Sequence, residues 1–129
     1  VEDTDPKRVD PEAYDMVSED LKWLGIGITD VVYQSDRFEI YYEHARELIK
    51  LGGAYMCDCD NAEFRDLKLK KQACPCRDLS VEENLKRFDD MLAGKYEEGQ
   101  ITMRVKTDIA HPDPAVRDFA AMRVLKEPK

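Results

Sequence analysis

The sequence predicts an α+β fold in which helices pack on a small sheet that carries a cysteine-rich finger. Three observations support this class. Apolar residues recur at helical spacing in several segments, they alternate with polar residues over 101–106, and all four cysteines lie within 20 residues. Hydrophobic residues make up 43% of the 129 residues, which argues against a disordered chain.

Two long helices are predicted in the first half of the chain. The first runs from Pro11 to Leu24, with Asp10 as its N-cap and a proline at the first helical position. The second begins at Ser35 and ends at Gly52, because glycine favours the backbone conformation that follows a helix. Its apolar residues share one helical face: Phe38, Tyr41, Tyr42, Ala45, Leu48 and Ile49.

Shorter elements follow these helices. Residues Ala54–Cys57 are predicted to form a strand, and Asp60 begins a third helix that extends to about Lys70, since a glutamate three residues after Asp60 completes a capping-box pattern. Ser80 has the same capping-box spacing and begins a fourth helix, which ends at Gly94.

Two further strands are predicted towards the end. Ile101–Lys106 alternates apolar and polar residues, as a strand does, and Ala121–Leu125 forms the next strand. Residues His111–Pro114 must form a non-helical connection between them, because each proline moves the preceding residue out of the α region.

The chain is acidic, with 20 Lys and Arg against 28 Asp and Glu and a formal net charge of −8. This balance argues against general nucleic-acid affinity. Whether the chain can bind nucleic acid therefore depends on where its basic residues lie. No apolar run approaches the roughly 18 residues of a membrane span, and the first residues do not resemble a signal peptide. We therefore expect a cytoplasmic protein with no membrane contact. Its start at Val1 indicates a fragment or processed chain.

The four cysteines give the strongest chemical signal. They form two Cys-x-Cys pairs, Cys57 with Cys59 and Cys74 with Cys76, separated by 14 residues. In extended backbone, residues two apart point to the same side, so two such pairs can supply the four thiolates of a tetrahedral zinc site. Four buried or disulfide-bonded cysteines are the alternative, although the cytoplasm disfavours disulfides. Four thiolates leave no position for water, so this zinc would be structural and would stabilise the finger.

The predicted finger is basic. Five cations lie within it or directly after it: Arg65, Lys68, Lys70, Lys71 and Arg77. They indicate a local contact with phosphate, although a solvated charged face explains the composition equally well. Arg104 and Lys106 on one strand, with Arg123 on the next, strengthen the first interpretation only modestly. The residues alone therefore predict a zinc-stabilised α+β module whose ligand stays open.

Three stretches resemble a known family. They are EDTDPKRVDPEAYDMVSEDLKWLGI at 2–26, YQSDRFEIYYEHARELIKLGGAYMC at 33–57 and RDLSVEENLKRFDDMLAGKYEEGQITMRVKTD at 77–108. The EDTDP start, the YQSD segment, the RDLSVEENL segment and the RVKTD strand occur in the order found in glutamyl-tRNA synthetases of the archaeal and eukaryotic type. These enzymes are related to the glutaminyl enzymes, and the resemblance covers almost the whole chain.

The resemblance implies a class I synthetase that activates glutamate with ATP and magnesium and transfers it to tRNA(Glu). Residues 1–53 would form an edge of the Rossmann-like nucleotide-binding region, with two helices. Residues 54–129 would form the insertion that binds the acceptor stem and carries the four-cysteine zinc site. The HIGH-like and KMSKS-like signatures of the family are absent from this sequence, so the fragment is expected to be inactive by itself.

The family's residue roles carry over at a few positions. Glu2 matches the acidic position that contacts the amino group of the substrate. Arg65 and Asp66 match a pair that lies at the first base pairs of the acceptor stem, and Arg104 and Lys106 match a strand near the entering CCA end. The expected RNA-binding residues are Arg65, Asp66, Lys68, Lys70, Lys71, Arg77, Arg104 and Lys106, and the expected metal ligands are Cys57, Cys59, Cys74 and Cys76. The cysteines depart from the glutaminyl pattern and favour glutamate.

Two other classes of function stay open. One is a non-catalytic, zinc-stabilised module that binds RNA or a protein. The other is an interaction domain whose acidic helices meet a basic partner. The length of the natural gene product separates both from a synthetase.

Overall fold

The computed structural model describes residues 2–28 and 30–125. This part of the chain contains four α-helices and three strands, which confirms the predicted α+β class. The helices are α1 (Ala13–Trp23), α2 (Phe38–Lys50), α3 (Asn61–Leu69) and α4 (Val81–Leu92); the strands are β1 (Ala54–Cys57), β2 (Thr102–Val105) and β3 (Ala120–Arg123). Across these described residues, no helix combines the length and the apolar character needed to cross a membrane.

The predicted helices are confirmed, but two of them begin later than expected. α1 begins at Ala13, because the Asp10 carboxylate accepts the amide of Glu12 at 3.0 Å in a turn that precedes the helix. α2 begins at Phe38 instead of Ser35, because a short 3-10 turn comes before it. Both differences arise where local hydrogen bonds compete with the first helical turn.

The chain divides into two compact units, the first ending at Tyr41 and the second beginning at Tyr42. This division by compactness falls within α2, earlier than the predicted boundary between residues 53 and 54. The assignment of 1–53 to a nucleotide-binding edge and of 54–129 to a stem-binding insertion stays a prediction.

A buried carboxylate organises the first unit. Asp3 is 2% exposed and accepts hydrogen bonds from Tyr14 Oη at 2.8 Å, from the amide of Ser35 at 2.8 Å and from Ser35 Oγ at 2.7 Å. These contacts join the amino-terminal segment to α1 and to the turn before α2. α1 itself buries no residue, and Trp23 is 85% exposed.

The second unit contains an antiparallel sheet in the order β1-β2-β3. Met56 lies opposite Met103, and Tyr55 lies opposite Arg104. On the methionine face, α2 and α4 complete a hydrophobic core of Ala45, Ile49, Ala54, Met56, Phe88, Ile101 and Met103. The tyrosine face carries a smaller core of Tyr55, Cys57, Phe64, Cys74 and Cys76. Both faces of β1 are therefore buried.

β3 joins the sheet through an irregularity. Met103 lies opposite Met122 and Arg104 lies opposite Ala120, so Ala121 is the extra residue of a bulge. The predicted final strand is confirmed, although it begins and ends earlier than expected. The predicted non-helical connection at His111–Pro114 is also confirmed.

Asp118, which has no solvent exposure, joins the segment just before β3 to the sheet. Its Oδ2 accepts from Tyr55 Oη and from Arg77 Nε, each at 2.8 Å. Its Oδ1 accepts the amide of Thr107 at 2.9 Å, and Arg77 also donates to the Thr107 carbonyl at 2.6 Å. One carboxylate thus links β1, the segment after the second cysteine pair and the end of β2.

We expect D118N to lower the free energy of unfolding by about 3 kcal/mol, because it leaves the Arg77 guanidinium without its anionic partner. Asp118 has a φ of 32°, and asparagine tolerates that conformation, so the substitution adds no backbone strain and removes the charge together with one hydrogen-bond acceptor. Urea denaturation measures the change. The matched control is D113N at an exposed carboxylate, which should change stability by no more than about 0.5 kcal/mol. Equal losses in both variants would contradict the prediction.

The stability difference between wild type and D118N should depend on pH. Burial opposes the ionisation of Asp118, but hydrogen bonds from Arg77, Thr107 and Tyr55 outweigh it and hold the pKa of Asp118 below its usual range. A carboxylate with a lower pKa in the folded state stabilises the protein above the unfolded pKa of about 4, and this contribution is lost as pH falls through the folded pKa. The stability difference between wild type and D118N should therefore shrink below about pH 4.

Candidate metal centre and basic surface

The four cysteine sulfurs converge on one point. All four lie within 4.8 Å of one another, with Cys57 and Cys74 at 3.9 Å and Cys59 and Cys76 at 3.8 Å. In a tetrahedral site with metal-sulfur bonds of about 2.3 Å, neighbouring sulfurs lie roughly 3.8 Å apart. A disulfide requires about 2.0 Å. The spacing therefore fits a bound metal ion, and all four thiols are free.

Two different backbone conformations present the sulfurs. Cys57 is the last residue of β1, and Cys59 lies in a bend just before the N-cap of α3, so only the first sulfur of this pair comes from the strand. The second pair differs. Cys74 is the extended N-cap of a 3-10 turn, and Cys76 lies inside that turn with Pro75 at its start. Proline suits this position because its φ is already fixed and its missing amide costs no hydrogen bond there.

The cluster by itself stabilises a single thiolate. A hydrogen bond with Cys74 and the nearby Arg104 guanidinium lower the pKa of Cys57 to about 5. Burial and the Cys57 thiolate then raise the pKa of Cys59 to about 12. The hydrogen bond to Cys57 and burial raise the pKa of Cys74, and burial raises the pKa of Cys76. Four thiolates together need a cation at the centre.

Five of the predicted RNA-binding residues, including Asp66, lie on or directly after α3. Arg65, Lys70 and Lys71 are exposed, and Lys68 is half-buried. Asp66 is exposed and forms an ion pair with Lys70 at 2.9 Å. The basic surface, defined as Arg65, Lys68, Lys70 and Lys71, therefore lies beside the cysteine cluster.

The remaining predicted RNA-binding residues have other surroundings. Arg104 is 7% exposed, with its guanidinium carbon 3.4 Å from the centroid of the Phe64 ring. Arg77 pairs with the buried Asp118, and Lys106 is half-buried on the strand end. Arg77 and Arg104 thus have contacts inside the fold, and their role at RNA stays a prediction.

Glu2 is exposed near the start of the chain. Its Oε1 accepts from Thr4 Oγ1 at 2.7 Å and from the Thr4 amide at 2.8 Å, and these two hydrogen bonds hold the pKa of Glu2 below its usual range. The adjacent Asp3 is buried, which fixes the backbone beside Glu2. The predicted role of Glu2 at an amino group stays a prediction.

Sequence reasoning missed three buried polar residues around this site. Asp118 is described above, and Asn84 accepts the amide of Met56 at 3.0 Å. Arg117, which is 4% exposed, donates from Nη1 to the carbonyl of Lys68 at 3.0 Å and from its other nitrogens to the carbonyls of His111 and Pro112. No periodicity marks these positions; Arg117 and Asp118 form an Arg-Asp pair within an otherwise apolar stretch, and Asn84 has no such signal.

The comparisons with known proteins agree with this architecture. A family model described as tRNA synthetases class I (E and Q), catalytic domain, matches residues 1–129. The chain therefore belongs to this family of class I synthetases, which confirms the resemblance found in the sequence.

Three similar proteins share the name glutamate-tRNA ligase. The glutamate-tRNA ligase of Methanocorpusculum labreanum is 86% identical over 125 residues, which cover 97% of this chain and 22% of the relative. That of Methanoculleus marisnigri is 66% identical over 128 residues, covering 99% of this chain and 23% of the relative. The glutamate-tRNA ligase of Methanospirillum hungatei is 58% identical over 97% of this chain. The chain thus spans about a fifth of the length of these relatives.

We expect R117Q to loosen the end of α3 without unfolding the main core. Losing the charged donor to the Lys68 carbonyl should lower the local opening free energy by about 2 kcal/mol. The amides of Lys70, Lys71 and Gln72 should then exchange roughly thirtyfold faster, as measured by hydrogen exchange. The control K86Q, at an exposed lysine of α4, should leave these rates unchanged. Uniform acceleration throughout the second unit would contradict this local role.

Proposed function

We propose that this chain forms the acceptor-stem-binding part of a glutamate-tRNA ligase. The whole enzyme would activate glutamate with ATP and magnesium and transfer it to tRNA(Glu), and we place this reaction in the cytoplasm. The observation that carries the proposal is the 86% identity, over 97% of the chain, to a relative with that name.

The basic surface supports a contact with phosphate. The chain has a net charge of −8, so attraction to RNA has to come from a local group of cations. Arg65 on α3 and Lys70 and Lys71 directly after it are exposed to solvent. Burial and the nearby Arg104 and Arg117 charges lower the pKa of Lys68. The four cations of the basic surface lie within seven residues of the sequence, so a bound anion would relieve their mutual repulsion.

We propose that Cys57, Cys59, Cys74 and Cys76 hold a structural zinc ion. The sulfur distances of 3.9 Å from Cys57 to Cys74 and 3.8 Å from Cys59 to Cys76, which join one pair to the other, support this assignment. The ion would cross-link the end of β1 to the turn at Pro75–Asp78, and α3 lies between these two segments. With four protein ligands it would supply stability to the finger and no open coordination position.

We propose that Glu2 contacts the amino group of the substrate. A carboxylate held by two hydrogen bonds from Thr4 stays ionised and suits the ammonium group of an amino acid. The ATP-binding residues would come from other parts of the enzyme.

The zinc assignment predicts about one zinc per chain in protein purified without added metal. Elemental analysis measures the content. C76S should lose most of the zinc, because three sulfurs bind it more weakly and Cys76 is buried at the centre. The matched control is A73S, which adds a hydroxyl at an exposed position of the same loop and should keep the metal. Zinc-free wild type with four freely titrating thiols would refute the site.

The RNA assignment predicts that R65A/K71N weakens binding to an acceptor-stem hairpin in the full-length protein. Asparagine is chosen because Lys71 has a φ of 57°. The slope of log affinity against log salt should fall by about 1 for each lost phosphate contact. Fluorescence titration at several salt concentrations measures both quantities.

Two controls separate a local contact from general charge loss. K50N/K86N removes the same charge at exposed positions of α2 and α4 and should leave hairpin affinity nearly unchanged. An anticodon-arm hairpin should bind wild type and R65A/K71N equally. If the two double variants weaken both hairpins alike, the basic surface acts only through net charge and the proposal is wrong.

A further inference from the structure

One arginine outside the predicted sites touches the cysteine cluster. Arg87 lies on α4, and its side chain is 19% exposed. Its Nη1 donates to Cys76 Sγ at 3.8 Å and to the carbonyl of Met56 at 3.3 Å. α4 thereby places a fixed positive charge against one of the four sulfurs.

The same guanidinium faces two carboxylates. Its Nη1 lies 3.4 Å from Asp58 Oδ1, and its Nε lies 3.3 Å from Glu83 Oε1. Asp58 stands between the cysteines of the first pair, and its Oδ1 accepts a hydrogen bond from the Cys76 thiol at 3.1 Å. A carboxylate therefore lies beside a sulfur that has to be anionic when it binds a metal.

This arrangement poses an electrostatic problem for a metal-loaded centre. Four thiolates around a divalent cation have a net charge of −2, and the Asp58 carboxylate adds repulsion at the Cys76 corner. Arg87 is within reach of both groups, and its single positive charge offsets part of their mutual repulsion. At another corner of the cluster, the buried Arg104 guanidinium interacts with Cys57, so cations flank the centre at two of its sulfurs.

Arg87 is also well placed to fix geometry. Its hydrogen bond to the Met56 carbonyl attaches it to β1, next to Cys57, while its bond to Cys76 reaches the second cysteine pair. The planar guanidinium makes these contacts at fixed angles, which the flexible ammonium of a lysine cannot reproduce. Hydrogen bonds of this kind to ligand atoms orient them and tune the affinity of the site.

We propose that Arg87 is a positioning residue of the metal centre, which strengthens metal binding by donating to Cys76 and by neutralising Asp58. The inference rests on the proposed zinc site. It assigns to α4 a direct part in holding the finger, in addition to its part in the main core.

Zinc affinity of the full-length protein, measured by competition with a chromophoric chelator, tests the proposal. R87Q should bind zinc roughly tenfold or more weakly than wild type, the size typical for loss of a group that contacts a ligand. R87K keeps the charge and should recover part of the loss. The matched control K86Q removes one positive charge from an exposed position of α4 and should bind as wild type does.

A variant with the opposite expected effect distinguishes electrostatics from packing. D58N removes the repulsive carboxylate and leaves Arg87 free to serve Cys76, so it should tighten zinc binding by several fold. If D58N weakens binding as much as R87Q, both side chains act only by packing and the proposal is overturned. R87Q with the affinity of K86Q overturns it as well. Wild type without zinc would refute the metal site itself, whereas zinc-loaded wild type with an unchanged R87Q refutes only the role of Arg87.

Discussion

On one face of the sheet, the core is made largely of cysteine sulfurs where apolar side chains would ordinarily pack. The position of α3 depends on these sulfurs. The small core on that face consists of Tyr55, Phe64 and three cysteines. Phe64 is the buried residue of α3, and Leu67 and Leu79 are only partly buried against this core, so apolar burial contributes little to holding the nine-residue helix. A metal ion that joins the sulfurs would supply the missing stabilisation, because its binding free energy is also folding free energy. This face is therefore the part of the module that should respond most to metal removal.

The opposite face follows ordinary packing. α2 and α4 cover the methionine side of β1 and β2, and Phe88 and Ile49 are fully buried there. The two faces share the same pair of strands, so the larger core fixes the sheet on which the sulfurs converge. Asp118 then joins Tyr55 and Arg77 across the smaller face. Metal binding can change the finger while the main core keeps its structure.

Local patterns predicted most of the fold and the metal ligands. The strand at Ala54–Cys57 has the predicted bounds, and the four cysteines are close together as their spacing indicated. Alternation also placed Arg104 opposite the apolar face of its strand. It could not show that this second face is buried too, because Phe64 reaches Arg104 from a distant part of the chain. The role of Asp118 depends on Tyr55, which is 63 positions away, and no local period encodes such a contact.

The basic residues fall into two groups according to their contacts. Arg77 pairs with Asp118 and Arg104 lies over the Phe64 ring, whereas Arg65 on α3 and Lys70 and Lys71 directly after it face solvent. Arg117 attaches the end of α3 to the connection before β3, and Cys57 and Cys59, which precede α3, contact the sulfurs of Cys74 and Cys76. Both ends of the helix are therefore fixed by groups that do not face outward. If phosphate binds the exposed cations, loss of the metal or of Arg117 should weaken that binding by disordering the helix that presents them, although neither group touches the ligand.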